Sequence, residues 1–183
     1  AVAVAADYAY TAGFGEGLRV VNVSDPAQPL EVGFNDGFSA FDVAVADGYA
    51  YVAGWGLFVV DVSDPMQPVE LGSCYVGGVG RVAVAEEYAY VAAGMEGLKV
   101  MDVSDPTQPV EVGSYDGEWW FSAEGVAVAG EYAYVAETTG LRVVDVSNPT
   151  QPLAVGFLAT PSWAMDVVLA GQYAYVACGS AGL

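Results

Sequence analysis

Carboxylates are the side chains in this sequence best suited to chemistry. An Asx-Val-Ser-Asx-Pro motif begins at Asn22, Asp61, Asp102 and Asp145. Acids at this spacing could hold calcium, but a calcium site gathers roughly six to eight oxygens around one ion. The motif has a plainer use. An Asx side chain accepts a hydrogen bond from the backbone two residues on and shapes a turn ahead of proline. That use accounts for each Asx residue, so no metal and no cofactor is expected. Asp42, Arg81 and Asp166 form a second set. They fall at one position of a repeating pattern, with Gly125 in the same place in another copy. An ion pair on a solvated rim is one role for them, and a small ligand site is the other.

Histidine is absent. The commonest general base and metal ligand is therefore missing, and neither a Ser-His-Asp nor a Cys-His site can be built. Zinc lacks its usual ligand sets. Gly77-Gly78-Val79-Gly80 is a glycine cluster without the lysine and helix of a phosphate-binding loop. No catalytic residue is assigned, and the chain is expected not to be an enzyme. Catalysis by carboxylates alone is the remaining alternative, with nothing in the sequence to place the pair.

Aromatic residues offer a different function, namely contact. All four tryptophans, with Phe14, Phe38, Phe41, Tyr75 and Phe121, lie outside the repetitive runs. Met95 occupies a corresponding variable stretch. Variable aromatic loops on a repetitive body favour a protein or glycan contact. Packing of these rings on one another is the structural alternative. The candidate contact residues are Phe14, Trp55, Tyr75, Met95, Trp119, Trp120 and Trp163, with Asp42, Arg81 and Asp166 beside them.

The elements that must position these residues follow from an internal repeat. Tyr-Ala-Tyr occurs at 8–10, 49–51, 88–90, 132–134 and 173–175, a spacing of 41, 39, 44 and 41 residues. Each repeat holds four apolar runs. In the second they are 43–46, 49–53, 57–62 and 69–72. Asp47-Gly48 between the first two runs is a strong hairpin signal. Eight of the nine prolines lie in the turn between the third and fourth runs. Proline there fixes φ and ends ladder pairing. No stretch has helical periodicity.

Four short antiparallel strands per unit of about 41 residues match the blade of a β-propeller. The two tyrosines of each second run lie on one sheet face and alanine on the other. Stacked blades would set large against small and fill an interblade core. Ten of the twelve tyrosines are at these positions, so packing is their role. The expected fold is an all-β propeller of four blades and part of a fifth, in one domain, and a fragment of a larger propeller. The repeats run approximately 1–41, 42–80, 81–124, 125–165 and 166–183.

Tyr-Ala-Tyr-Val-Ala, then Gly-Leu-Arg-Val-Val-Asp-Val-Ser-Asx-Pro, then Gln-Pro-Leu/Val-Glu-Val-Gly resembles the LVIVD repeat. The likeness extends over essentially all 183 residues. It implies a β-propeller and a setting at the cell surface or outside the cell, and it implies no activity. Three departures are local: Asn22 replaces Asp, Phe58 replaces the basic residue after Gly-Leu, and Ala154 replaces Glu.

Charge bounds the partners. Twenty-three acids against four bases give a net charge of −19. Such a surface repels phosphate backbones and anionic bilayers, so neither nucleic acid nor membrane insertion is expected. No run approaches the roughly 18 apolar residues of a membrane helix. Cys74 and Cys178 sit at non-equivalent points of the repeat, and two cysteines make no disulfide framework. Arg19, Lys99 and Arg142 share one repeat position and Glu31, Glu70 and Glu111 another, so cross-strand ion pairs are expected. The reading is a noncatalytic binding module outside the cytoplasm. The alternative is a subunit of a self-assembling layer or filament, because four and a half blades leave an apolar edge for further blades or further copies to cover.

Overall fold

Apolar alternation over four to seven residues, broken by two-residue turns, can bury one face only against another sheet. The computed structural model, which describes residues 1–78, 80–117 and 122–182, resolves this as five successive antiparallel sheets. The first sheet is β1 (Val2–Ala5), β2 (Tyr8–Gly13), β3 (Gly17–Asn22) and β4 (Leu30–Asn35). The second is β5 (Asp42–Ala46), β6 (Tyr49–Ala53), β7 (Gly56–Asp61) and β8 (Val69–Tyr75). The third is β9 (Arg81–Ala85), β10 (Tyr88–Ala92), β11 (Leu98–Asp102) and β12 (Val110–Tyr115). The fourth is β13 (Ala123–Ala129), β14 (Tyr132–Glu137), β15 (Gly140–Asp145) and β16 (Leu153–Ala159). The fifth has two strands, β17 (Ala164–Ala170) and β18 (Tyr173–Cys178). In each, strands pair in chain order, and the first strands of successive sheets lie side by side. The fold is that of a partial β-propeller.

The first hairpin turn of each blade carries a residue in the left-handed region. It is Ala6 (φ 51°), Asp47 (φ 52°), Glu86 (φ 55°), Gly130 (φ 57°) or Gly171 (φ 60°). Only Gly escapes the steric cost of that conformation. In the second blade Gly48, at φ 82°, completes the turn. The last strand runs beyond the Gly72 boundary read from sequence, because β8 continues to Tyr75. A register shift interrupts each pairing of third and fourth strands, between Val20 and Val21, Val59 and Val60, Val100 and Met101, and Val143 and Val144.

Tyrosine faces do pack on alanine faces. Tyr10, Ala12, Leu18 and Val20 of the first blade share a core with Val43, Ala50, Val52 and Val60 of the second. Tyr51, Leu57 and Val59 meet Ala89, Val91 and Met101 of the third blade. Tyr90, Leu98 and Val100 meet Ala133, Val135 and Val144 of the fourth. Ala136 and Leu141 meet Ala164 and Val167 of the fifth. Full burial of each Val or Leu contributes about 1.5–3 kcal/mol. Burial also pushes the phenols of Tyr10, Tyr51 and Tyr90 above their ordinary value. The two faces at the ends of the series are uncovered. Val2 and Val4, in the face equivalent to buried Val43, are 63% and 67% exposed, and Tyr173 at the other end is 71% exposed.

Candidate functional site

Antiparallel order sends the first and third turns of every blade to one end of the molecule and the remaining loops to the other. The first end is occupied by turn chemistry. Asp102 Oδ1 accepts from Ser104 N at 2.9 Å and from Ser104 Oγ at 2.6 Å. Asn22 and Asp145 repeat both bonds with Ser24 and Ser147, and Asp61 accepts from Ser63 N. The second Asx of the motif does the same one turn later, from Asp25 to Ala27, Asp64 to Met66, Asp105 to Thr107 and Asn148 to Thr150. Hydroxyl and then backbone N–H donors hold the Asp102, Asp105 and Asp145 carboxyls below their ordinary value. These carboxylates are therefore spent on the chain itself. Among the described residues, no three His, Cys, Asp or Glu side chains gather as metal ligands would. A cleft of about 470 Å³ lies at this end between the third and fourth blades, lined in part by Glu86, Tyr88, Tyr90, Glu131 and Ser147. A smaller cleft recurs between the fourth and fifth, lined by Tyr134, Gly171 and Tyr173. Both are seams between stacked blades, remote from the aromatic loops.

The second end carries the aromatic loops. Phe14 is 74% exposed, Trp55 59%, Tyr75 78%, Met95 86% and Trp163 68%. Phe41 links the first two: its ring lies 5.4 Å from that of Phe14 and meets Trp55 edge-on at 6.0 Å. The result is one aromatic ridge across the first two blades. Offset and edge-on pairs of this kind hold their geometry while leaving faces open to a partner. Tyr75, expected in a loop, ends β8 instead, and its hydroxyl donates to Gly77 O at 3.5 Å in the turn that follows. Phe38 belongs to the interior instead. It is buried and stacks on Phe58 at 4.5 Å. Trp119, Trp120 and Phe121 lie outside the described residues.

Asp42, Arg81 and Asp166 enter the first strands of their blades at this same end. Arg81 Nη1 reaches Asp166 at 3.7 Å, past Gly125, where a Cβ would meet Asp166 Cα at 2.8 Å. The empty side of Gly125 is what lets residues two blades apart pair. Asp42 accepts from Val82 N at 2.9 Å, so it ties its strand to the next blade. Burial holds the Asp42 carboxyl above its ordinary value, against the pull of that hydrogen bond and of Arg81. This rim is an ion pair with a strand clasp beside it.

A buried carboxylate escaped the sequence reading. Glu137 is 1% exposed and takes Arg142 on both oxygens, at 2.9 and 3.3 Å, plus the Thr139 hydroxyl at 2.9 Å. Arg142 also lies 4.5 Å over the Phe157 ring. Its sister bases pair outward as expected, Arg19 with Glu31 and Lys99 with Glu111, both at 3.5 Å. Ala154 stands where the fourth blade would have its glutamate, and Arg142 turns inward to Glu137. The signal was present as two linked departures, an acid gained at 137 and one lost at 154. The cysteines are free thiols, Cys178 buried and Cys74 half-buried.

LVIVD-repeat models match residues 1–36, 37–76, 76–117, 122–160 and 162–183. The chain belongs to the LVIVD-repeat family. No curated protein matches it. Among solved structures, a functionally unknown protein from Desulfotomaculum acetoxidans DSM 771 is similar with a TM-score of 0.78 at 13% identity, over 97% of this chain and 62% of its own. The periplasmic gluconolactonase PpgL of Pseudomonas aeruginosa is similar at 0.76 and 12%, over 93% and 60%. The Cps50 (Swd1) β-propeller domain of Myceliophteria thermophila is similar at 0.67 and 12%, over 88% and 60%. At these identities the likeness is one of fold. The LVIVD chain spans about 60% of the length of each. No helix among its described residues is long and apolar enough to cross a membrane.

Proposed function

We propose that this LVIVD protein is a noncatalytic β-propeller module, at the cell surface or outside the cell, that binds a protein or a glycan through its aromatic loop end. The observation that carries this reading is the exposure of Phe14, Trp55, Met95 and Trp163 on loops of one end, with Tyr75 at the end of β8 beside them, while the repeat tyrosines Tyr10, Tyr51 and Tyr90 are buried. An apolar side chain left in water on a well-packed body costs free energy that a partner recovers. Rigid aromatic side chains are the usual anchors of contact surfaces, because they bring large area for little conformational entropy. The Arg81–Asp166 pair supplies a charged border to the apolar loops.

The absence of histidine and the occupied Asx carboxylates support a noncatalytic role. An acidic surface of net charge −19 directs the choice of partner away from nucleic acid and anionic lipid. The test is capture from a native cell-envelope extract with the folded protein and with a Phe14→Ser/Trp55→Ser/Trp163→Ser variant. The three residues are largely exposed, so the variant keeps its circular dichroism and melting temperature. Loss of the partners captured by the unmutated protein is expected. Equal capture of the same partners by the folded variant would show that the loops are not the contact.

A further inference from the structure

The turn end of the molecule holds carboxylates that no Asx turn uses. The cleft of about 470 Å³ between the third and fourth blades has Glu86, Tyr88 and Tyr90 on one wall and Glu131, Ser147 and Pro149 on the other. Both walls belong to four-stranded sheets of the chain. Pockets of about 300–1,000 Å³ suit a small ligand. Gly130 leaves this one without a side chain at its edge, since a Cβ there would meet nothing within 4 Å. The same turn position holds Asp47 in the second blade, which faces Tyr10, and Glu86 in the third, which faces Tyr51.

The polar groups of the cleft lack partners. Among the described residues, the side chains of Glu86, Glu131, Tyr88 and Tyr90 make no hydrogen bond and no ion pair. Tyr90 is only 4% exposed, and a phenol buried that far ordinarily finds a partner. No fully buried side-chain oxygen among the described residues is left unpaired, so the Tyr90 hydroxyl opens onto space, and the space its side chain lines is this cleft. Burial, then Tyr88 and the Glu86 carboxylate, push that hydroxyl above its ordinary value, so it stays protonated in the field of the acid. The chain has no cation to spare for these groups. Its four bases are committed elsewhere, Arg19 to Glu31, Arg81 to Asp166, Lys99 to Glu111 and Arg142 to Glu137.

We propose that this cleft binds a small aliphatic polyamine. Its ammonium N–H groups donate to the Tyr90 hydroxyl and to the Glu86 and Glu131 carboxylates. The tyrosine rings add cation–π attraction, and Pro149 offers apolar surface to the methylene chain. Two acids on two walls call for two positive charges on one flexible ligand. A divalent metal fits less well, because calcium gathers about six to eight oxygens and no three acids cluster among the described residues. A quaternary ammonium has no N–H to give the Tyr90 hydroxyl. The site is separate from the aromatic loops and does not depend on a contact there.

The test is titration calorimetry of the whole chain with spermidine at about 0.15 M salt, where long-range attraction to the acidic surface is screened. One saturable site per chain is expected. Tyr90→Phe removes only an unpaired hydroxyl, so it should melt with the parent yet bind at least about tenfold more weakly, the loss of one hydrogen bond to a charged group. Glu131→Gln should weaken binding by a similar factor. Glu87→Gln removes the same charge at the same turn position one blade earlier, outside the cleft, and should bind as the parent does. Calcium and hexamethonium, which carries two charges but no N–H, should bind more weakly than spermidine. Absence of a saturable site overturns the proposal. Equal weakening by Glu87→Gln and Glu131→Gln does so too, because the attraction would then be diffuse. Parent-like binding by Tyr90→Phe, or tighter binding of calcium or hexamethonium, also overturns it.

Discussion

At the scale of single residues, the carboxylates that look most like a site are committed to turns, and their titration gives a test. Serine hydroxyls and backbone N–H groups hold Asp102 and Asp145 below the ordinary carboxyl value. A carboxyl whose folded pKa is depressed contributes stability above its unfolded pKa and loses it as pH falls through the folded one. The loss therefore begins near about pH 4 and deepens below it. Asn22 and Asn148 make the same turns without a charge. An Asp102→Asn/Asp145→Asn variant should match the parent in urea denaturation at pH 7 and lose stability less steeply below about pH 4. An unchanged acid limb would detach these residues from the effect. Asp42 runs the other way. Burial raises its pKa, so its ionised form weighs against the fold at neutral pH and ceases to do so as pH falls below the unfolded value. Asp42→Asn should therefore stabilise the protein at pH 7, with the difference vanishing in acid, provided the amide oxygen still accepts from Val82 N. Equal stability at both pH values would contradict the assignment.

At the scale of strands and turns, charge pairs differ by where their backbone puts them. Glu137 at the end of β14 is buried and Arg142 on β15 is its partner, whereas Arg19 and Glu31 meet on an exposed surface. Removing one member of a buried pair costs about 3–5 kcal/mol, because the other charge stays desolvated, while an exposed pair is worth about 0–1 kcal/mol. Arg142→Ala should thus destabilise far more than Arg19→Ala in chemical denaturation, and an added Glu137→Ala should recover part of the loss. Equal effects of the two arginine changes would mean that Glu137 is not held as described. Glycine gives the parallel test of packing. Gly113→Ala should cost at least about 1–3 kcal/mol by overpacking against Pro149 O. The strands themselves were legible, since period-2 alternation, Asp-Gly and paired prolines are local signals. The pairing of Tyr and Ala faces was legible too, because residue size reports it. Phe38 and Glu137 were not. Their burial depends on Phe58 and Arg142 on neighbouring strands, and a loop aromatic that stacks inward has the same letter as Phe14, which points to water.

At the scale of the whole molecule, the LVIVD chain has two unlike ends. One is uniform and consumed by turns. The other varies from blade to blade and exposes aromatic side chains over a stiff stack of sheets. The difference between the ends was legible only as a contrast between repetition and variation, since no local pattern distinguishes a ring left in water from a ring that packs on its neighbour. The ridge formed by Phe14, Phe41 and Trp55 shows that the two coexist, with ring–ring contact and exposure in the same cluster. The most direct measurement is site-specific photo-crosslinking on intact cells or envelope, with one crosslinker replacing Trp55 in the aromatic ridge and another replacing Glu87 in the turns of the opposite end. Discrete adducts from position 55, with none from position 87, are the predicted result. Adducts from position 87 with none from 55 would contradict the account.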